Sequence, residues 1–314
     1  MSTSPYFTIF SGIYNSAEVI HRLFTSIEHQ TFRDFEWLIF DDASGDATTK
    51  IVENFIESHP DLLVSFIKRE TNKGLSFNRW EALQMAKGKY FISWDHDDIQ
   101  LENQLQTFFD IWEKYDSEDI GAICSVVKNE NNEIVGVPFP AEVTISTYFY
   151  FYSKYIISVE GKLNERHLCN KTAKFIEAIQ FIQNEGIITP PEFPNGSEVW
   201  GMMAYLGNKT IYINKVVRQY FIEPDRPSMT STGTRQTKSK RIYRDRRVWI
   251  NYFVDLLPPA DFKNKMRTYV SFCLYANYSG YGLGRMLKDV PSFGKKLLII
   301  LMYIPSIFLK RLLG

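Results

Sequence analysis

The sequence predicts an α/β protein built on a doubly wound, mostly parallel, Rossmann-like sheet with an elaborated, largely helical C-terminal part. Short apolar, β-rich runs alternate with helix-length segments from Tyr6 to Lys128. Three of these runs end abruptly in polar clusters, and the alternation fades after about Asn129. Strands separated by helices in this way form parallel sheets with helices on both faces.

The elements of the first half follow one another closely. Residues 6–10 form a short strand, and Asn15 with Glu18 has the spacing of a capping box for a helix that continues to about Glu28. The remaining predicted elements are strand 35–40, helix 48–58, strand 63–68, helix 74–86, strand 90–94, helix 101–115 and strand 120–127.

The second half is less regular. Residues 141–185 are rich in aromatic side chains and are predicted to be helical, and residues 210–213 form a strand. Residues 224–247 form a Pro-, Ser- and Thr-rich, basic stretch that we expect to be a loop. We therefore expect one domain over 1–222, made of halves 1–128 and 129–222, followed by a C-terminal region over 223–314.

The bulk composition excludes few classes of protein. The 314 residues include 36 basic and 36 acidic side chains, so the net charge gives no indication of a nucleic-acid partner. The three cysteines are far apart and lack metal-site spacing, which predicts buried thiols in a reducing compartment. No signal-peptide pattern is visible at the N-terminus, so a cytoplasmic protein is expected.

The segment 297–309 near the C-terminus is strongly apolar. Lys295 and Lys296 precede it, Lys310 and Arg311 follow it, and Pro305 lies inside it. It is too short for an ordinary membrane crossing, which needs about 20 apolar residues. Basic flanks favour a helix in an anionic membrane interface, hence a peripheral location on the cytoplasmic face. The alternative is a helix packed on the protein's own core or on a partner subunit.

Three strand ends carry the polar side chains that matter most for function. They are the segment 11–15, the pair Asp41 and Asp42, and the cluster 95–98. In open α/β sheets ligands bind outside the carboxyl ends of the strands, so these three clusters are expected to converge on one crevice. Asp42 is either a turn and helix-capping residue or an acceptor for a nucleobase N–H.

The cluster Asp95-His96-Asp97-Asp98 directly follows a buried apolar strand. Carboxylates this close repel one another unless a cation lies among them. Their oxygens favour hard cations, which predicts Mn²⁺ or Mg²⁺ rather than zinc. A diphosphate that shared the ion would complete its coordination. The alternative is an acidic helix N-terminus that faces solvent.

Six short motifs occur in order along the first half. They are Ser11-Gly12-Ile13-Tyr14-Asn15, Gln30-Thr31-Phe32, Phe35-Glu36, Asp41-Asp42-Ala43-Ser44-Gly45-Asp46, Asn72-Lys73-Gly74-Leu75-Ser76 and Asp95-His96-Asp97-Asp98. In this order and spacing they resemble the family 2 glycosyltransferases, strongly over residues 6–128 and weakly over 195–222.

The resemblance implies a GT-A fold and inverting, metal-dependent sugar transfer from a nucleotide diphosphate donor, often a UDP-sugar. The acceptor would be a saccharide or a lipid-linked saccharide, as in cell-surface polysaccharide synthesis. The matching positions imply a role for each residue. Ile13, Tyr14 and Asn15 frame the base, and Asp42 binds it. Asp97 and Asp98 jointly reach the ribose and the metal, and Asp95 belongs to the same cluster. Arg79 either contacts phosphate or base or is a solvated helix arginine.

Inversion requires a base that takes the proton of the acceptor hydroxyl. The family supplies it from a Glu-Asp pair at a helix start, and the matching segment of this chain has one carboxylate, Glu198, with Glu192 as the fallback. Glu198 could instead serve only as a helix cap. The family's Asn after Arg79 is replaced by Trp80, which puts the usual contact from that helix in doubt. The basic stretch after Pro224 either closes over the diphosphate or is a solvated linker.

Two other functions share this type of sheet. A sugar-phosphate nucleotidyltransferase would need a Gly-rich, basic loop after the first strand, and the segment 11–15 lacks one. A non-catalytic nucleotide-sugar-binding protein of the same fold is the other alternative, which the altered position 80 and the missing second acid at position 199 leave open.

Overall fold

A computed structural model describes residues 4–156, 164–189, 192–221 and 235–313. The chain divides into two compact units, Met1–Ile222 and Glu223–Gly314. The strands, all in the first unit, are β1 (Phe7–Ile13), β2 (Phe35–Asp41), β3 (Val64–Lys68), β4 (Tyr90–Ser93), β5 (Ile99–Gln100), β6 (Ile120–Lys128), β7 (Val143–Ser146), β8 (Arg166–Lys171) and β9 (Lys209–Gln219).

The helices are distributed over both units. Those of the first unit are α1 (His21–Glu28), α2 (Thr48–Ser58), α3 (Leu75–Met85), α4 (Gln104–Tyr115), α5 (Tyr148–Phe151), α6 (Thr172–Asn184) and α7 (Gly196–Tyr205). Those of the second unit are α8 (Arg235–Val248), α9 (Phe262–Tyr278), α10 (Leu283–Asp289) and α11 (Phe293–Leu313).

The nine strands of the first unit form one sheet in the order β3-β2-β1-β4-β8-β6-β9-β5, and β7 pairs with β9. The β1–β2, β2–β3, β1–β4 and β6–β9 pairs are parallel. β8 is antiparallel to both of its neighbours, and β5 and β7 are antiparallel to β9. The predicted doubly wound, mostly parallel sheet with a helical C-terminal part is therefore confirmed.

Burial on both faces explains why the central strands are almost continuously apolar. Every residue of β2 is buried, and all but one residue of β1 are. Trp37 and Trp112 are among the largest fully buried side chains of the core cluster, and Trp112 stacks on Tyr90 with ring centroids 4.2 Å apart. Parallel strands covered by helices on both sides have this composition.

The prediction that residues 141–185 are helical throughout is wrong, because β7 and β8 lie within that range. β8 reads RHLCNK, a sequence without apolar alternation. Arg166, His167 and Asn170 of this strand are nevertheless buried, and Arg166 binds neighbouring loops. The Arg166 guanidinium donates to the carbonyl oxygens of Tyr155 at 2.8 Å and Val137 at 2.6 Å.

The predicted capping box at Asn15 is also wrong. The first helix begins at His21, and Ile20 precedes it without a side-chain cap. Asn15 has a positive φ of 47°, and its side-chain oxygen accepts a hydrogen bond from the Gly45 N–H at 2.8 Å. The side chain therefore connects two strand ends and is not available to a helix.

The second unit is a helical bundle with its own core, in which α9 packs against α8 and α11. Tyr243 stacks on Phe272 at 4.8 Å, and Cys273, Met286 and Ile299 are fully buried beside them. All three cysteines of the chain are free and buried, as predicted.

Part of the predicted basic loop is helical. Residues 235–247 belong to α8, whereas the first part of that stretch, 224–234, lies outside the described residues. The apolar segment 297–309 lies inside α11, with Pro305 in the helix. Within the described ranges, no helix has both the length and the apolar character that a membrane crossing requires.

Gly88 marks the point where the loop before β4 presses on β1. Its N–H donates to Thr8 Oγ1 at 2.8 Å, and Thr8 Oγ1 in turn donates to the buried Glu36 carboxylate at 2.6 Å. A Cβ on Gly88 would lie 2.3 Å from the Thr8 nitrogen and 2.5 Å from the Phe7 carbonyl carbon. Backbone atoms of a central strand cannot move aside to make this room.

We expect Gly88→Ala to lower the free energy of unfolding by about 3 kcal/mol, because the added methyl group overpacks the sheet. Urea denaturation followed by tryptophan fluorescence measures this, since five of the six tryptophans lie in the first unit. Gly45→Ala is the control: its Cβ would have no neighbour closer than 4.0 Å. Equal stability of the two variants would contradict the close approach.

Candidate functional site

Contacts join the three strand ends at the carboxyl edge of the sheet, which confirms the predicted convergence. Asn15, after β1, donates its N–H to Ser44 Oγ at 2.9 Å and accepts from the Gly45 N–H, both in the loop after β2. His96, after β4, contacts the Gly12 carbonyl oxygen through Nδ1 at 3.3 Å. The polar clusters of β1, β2 and β4 therefore belong to one site.

The end of the site formed by β1 and β2 combines one exposed ring with buried neighbours. Tyr14 is 48% exposed, whereas Ile13 is buried beneath it in the core. The buried Asp42 carboxylate accepts the N–H groups of Lys73 and Gly74, each at 2.8 Å. Asp42 thus fixes the loop that leads into α3, in which Gly74 has a φ of 85°.

Helix α3 brings Arg79 to the same edge. Its first residue, Leu75, packs on β1 so closely that a Cβ on Gly12 would lie 2.5 Å from Leu75 Cδ1. Arg79 Nε is buried and has no hydrogen-bond partner in the part of the chain that the structure describes. Burial lowers the pKa of Arg79 while the Asp95 carboxylate raises it, and the group stays charged at neutral pH. Arg79 is therefore not a solvated helix arginine, and its charge faces the acidic cluster.

The residues next to Arg79 hold α3 in place through Arg69. Asn78, on the other side of Arg79, is buried and accepts from Arg69 Nε at 3.2 Å. Arg69 also forms an ion pair with Glu81 at 2.6 Å. The amide at position 78 therefore ties α3 to the end of β3, whereas Trp80 is half-buried.

A buried arginine lies among the acidic side chains. Arg218, near the end of β9, places Nη1 2.8 Å from Asp95 Oδ2 and 3.0 Å from Asp98 Oδ2. Its Nη2 donates to Glu165 Oε1 at 2.5 Å. The side chains of Arg218 and Asp98 are almost completely buried, whereas that of Asp95 is about half-exposed. The counter-charge that the sequence requires is supplied in part by this guanidinium.

The Asp98 carboxylate binds other groups of the protein. Its Oδ1 accepts the Phe221 N–H at 3.1 Å, and its Oδ2 pairs with Arg218. Burial raises the pKa of the Asp98 carboxyl, and Arg218 works against that rise. The three neighbouring carboxylates raise the pKa of Arg218 even though burial lowers it. Both oxygens of Asp98 thus have protein partners.

Asp97 differs from its neighbours. Its main-chain oxygen accepts from Arg22 Nη1 at 2.7 Å, and the Arg22 guanidinium lies 4.1 Å from the centre of the Phe221 ring. The backbone of the cluster is therefore fixed, while the partly exposed Asp97 carboxylate has no hydrogen bond or ion pair to any described residue. No group of three or more His, Cys, Asp and Glu side chains among the described residues is arranged to hold a metal ion.

Glu198 lies at the start of α7 in a complete capping box. Asn195 accepts the Glu198 N–H at 3.1 Å, and Glu198 Oε2 accepts the Asn195 N–H at 2.8 Å. Glu198 is fully buried, whereas the fallback Glu192 is exposed. Phe193, in the loop before this helix, makes an edge contact with Phe77 of α3 at 5.0 Å. The start of α7 therefore lies next to the helix that carries Arg79.

Sequence reasoning missed Arg218 and Arg22. Arg218 follows two apolar residues at the end of β9, a strand that the sequence predicts to stop at residue 213. A basic residue on a buried strand needs an acidic partner, so its position after these apolar residues could have indicated Arg218. Arg22 gave no signal, because an arginine on an amphipathic helix is ordinarily solvated.

Comparison with known proteins gives a match to the family model described as glycosyl transferase family 2 over residues 8–175. A cholesterol galactosyltransferase from Borreliella burgdorferi is 34% identical over 114 residues, which are 36% of this chain and 30% of the relative. The GalNAc(5)-diNAcBac-PP-undecaprenol beta-1,3-glucosyltransferase of Campylobacter jejuni is 27% identical over 103 residues, 33% of each chain. This chain thus spans about a third of the length of these relatives.

Two solved structures are similar in fold. TarS 1–349 of S. aureus, in complex with UDP-GlcNAc, superposes with a TM-score of 0.62 at 19% identity, over 96% of this chain and 81% of TarS. The mannosyltransferase PcManGT of Pyrobaculum calidifontis, in complex with GDP-Man and Mn²⁺, gives a TM-score of 0.51 at 17% identity, over 99% and 84%. At these identities the likeness concerns the fold.

We expect Arg218→Met to lower the free energy of unfolding by about 3–5 kcal/mol, because it leaves Asp98 buried without its counter-charge. Urea denaturation of the two proteins measures the difference. Lys209→Met is the matched control: the pair of Lys209 with Asp119 spans 2.8 Å between side chains that are both about half-exposed, so its loss should change stability little. If both variants lost the same small amount, the Arg218 network would not stabilise the site.

Proposed function

This chain belongs to the family 2 glycosyltransferases, and we propose that it is an inverting, metal-dependent transferase that uses a nucleotide diphosphate sugar. We assign the donor to the UDP-sugars. The observation that carries this proposal is the polar edge at the ends of β1, β2 and β4, where the Arg79 Nε–H and the Asp97 carboxylate have no hydrogen bond or ion pair to any described residue.

The donor diphosphate accounts for the state of Arg79. A buried guanidinium N–H without a hydrogen bond is costly unless a ligand supplies the acceptor. Phosphate oxygens suit a guanidinium because they accept charge-assisted hydrogen bonds. Arg79 in the proposed complex therefore binds the diphosphate between the nucleoside side of the site and the acidic cluster.

The nucleoside side is formed by the ends of β1 and β2. The exposed Tyr14 ring offers a face for the base, and Ile13 and Asn15 shape the backbone around it. Asp42 fixes the loop at Lys73 and Gly74 with one hydrogen bond to each carboxylate oxygen. Each oxygen has a further lone pair, so the same carboxylate can also accept an N–H of the base.

The chemistry of the acidic cluster fits a hard cation of the Mn²⁺ or Mg²⁺ type. Such ions are held by one or two protein carboxylates together with substrate phosphates. Asp97 would hold the ion, the half-exposed Asp95 would complete the protein ligands, and Asp98 would position both from inside. The bound ion would neutralise charge on the departing diphosphate.

Glu198 is the proposed base. The acceptor hydroxyl oxygen bonds to the anomeric carbon as the bond from that carbon to the diphosphate oxygen breaks. The bonding electron pair leaves with the nucleoside diphosphate, and the hydroxyl proton passes to Glu198. Attack from the face opposite the leaving group inverts the anomeric configuration. The capping box holds the carboxylate in one orientation, which suits a positioned proton acceptor.

The acceptor is proposed to be a saccharide or a lipid-linked saccharide in cell-surface polysaccharide synthesis. The Campylobacter jejuni relative carries an undecaprenyl-diphosphate-linked saccharide in its name. An acceptor of that kind would place this enzyme on the cytoplasmic face of a membrane as a peripheral protein.

We expect Asp97→Asn to reduce sugar transfer at least about 100-fold, because it removes the partly exposed carboxylate that would hold the ion. Release of nucleoside diphosphate from UDP-sugars with and without Mn²⁺ measures this. Asp119→Asn, which removes an exposed carboxylate paired with Lys209, is the control and keeps full activity. Pyrophosphate exchange with a nucleoside triphosphate in place of nucleoside diphosphate release would instead identify a nucleotidyltransferase.

Glu198→Gln separates the two roles of Glu198. Glutamine also completes a capping box, so we expect the thermal midpoint to stay within about 2 °C of the wild type. Loss of the base should reduce kcat about 10²–10⁴-fold with little change in KM for the donor. Full activity in this variant would leave Glu198 a cap only and would move the search for the base to Glu192.

A further inference from the structure

Helix α11 presents a continuous apolar stripe to solvent. At 100° per residue the exposed side chains fall within an arc of about 120°. The stripe consists of Phe293, Leu297, Ile300, Leu301, Ile304, Phe308 and Leu312, each between 46% and 81% exposed. Single exposed apolar residues are common on protein surfaces, but seven on one face of one helix mark an interaction surface.

The opposite face of α11 already has its partner within the second unit. Ile299 and Ser306 are fully buried, and Ser306 Oγ accepts from Asn277 Nδ2 of α9 at 2.8 Å. Lys310 Nζ donates to the Asn277 carbonyl oxygen at 2.7 Å. The helix is therefore fixed along α9. Its apolar stripe lies on the other face and does not contribute to the core of this unit.

The two units have large net charges of opposite sign. Residues 223–314 contain 17 Lys and Arg but 6 Asp and Glu, a net charge of +11. Because the whole chain holds 36 of each, residues 1–222 contain 19 basic and 30 acidic residues, a net charge of −11. α11 has no acidic residue, and Lys296 and Arg311 lie at the edge of the stripe or within it.

We propose that the exposed stripe of α11 docks on an anionic lipid surface, with the helix axis in the plane of the interface. The apolar side chains enter the boundary between headgroups and acyl chains, and the basic residues contact the anionic headgroups. This inference rests on the proposed function only in that the acceptor is then lipid-linked or membrane-associated.

A second copy of the chain is the other occupant that an apolar stripe could have. Pairing two copies through this stripe would bring together two helices whose charged side chains are all basic. It would also bring together two units of charge +11. Repulsion between like charges opposes that pairing, whereas an anionic surface is attracted by the same charges. The charge therefore favours the lipid surface.

Flotation of the full chain with lipid vesicles tests the proposal and needs neither donor nor acceptor. We expect binding to phosphatidylcholine vesicles that contain 30 mol% phosphatidylglycerol at about 0.15 M salt, and at least about tenfold weaker binding to pure phosphatidylcholine. High salt should weaken the binding to anionic vesicles, because exposed charges are screened.

Two variants separate the apolar and the charged parts. Leu301→Asp should weaken binding to anionic vesicles at least about tenfold, because a leucine that would enter the lipid is replaced by a charge. Leu63→Asp is the matched control, since Leu63 is 56% exposed in the first unit and Leu301 is 63% exposed; it should bind like the wild type. Lys296→Glu with Arg311→Glu should weaken binding about 30-fold or more.

Light scattering and an activity assay complete the test. One result would overturn the proposal in favour of a dimer. In it the wild type does not bind vesicles and its mass doubles with concentration, whereas Leu301→Asp has the mass of a monomer. Equal binding of Leu301→Asp and Leu63→Asp would overturn it as well. Donor turnover without vesicles should be the same in Leu301→Asp and the wild type, so a failure of the catalytic proposal leaves the vesicle result readable.

Discussion

The buried guanidinium of Arg218 is the interaction on which the rest of the candidate site depends. Removing a carboxylate and a guanidinium from water costs several kcal/mol for each ion, and their attraction offsets this only with good geometry and further hydrogen bonds. Arg218 meets that condition, because it bonds Asp95, Asp98 and Glu165 at 2.5–3.0 Å. It thereby joins the end of β9 to the loop after β4 and to the start of β8.

Because of this ion pair, the three neighbouring carboxylates of the cluster differ in their partners. Asp98 has its oxygens bound by Arg218 and the Phe221 N–H and serves the protein, Asp95 is shared, and the Asp97 carboxylate is left for a ligand. Three acids this close need a counter-charge, and the Arg218 guanidinium supplies a large part of it. For the proposed Mn²⁺ or Mg²⁺ the cluster would leave one or two carboxylates, and the donor diphosphate would have to complete the coordination.

The sequence predicts best the elements that stand out as short apolar runs or as helix-length segments between turns. β2, α2 and α3 each lie within one residue of their predicted bounds. β8 and Arg218 were not predictable in this way, because their buried side chains are polar and are satisfied by partners more than ten residues away. The register of β9 with β6 decides where Arg218 lies, and no local pattern encodes that register.

The net charge of zero is the sum of two large charges of opposite sign in the two units. The sum of zero results from −11 before residue 223 and +11 from there on. Surface charges act over about 8 Å at physiological salt, so a lipid surface responds to the charges near α11 and not to the total of the chain. The proposed attachment of α11 therefore depends on the basic residues of the second unit taken by itself, and the zero total charge of the chain does not predict it.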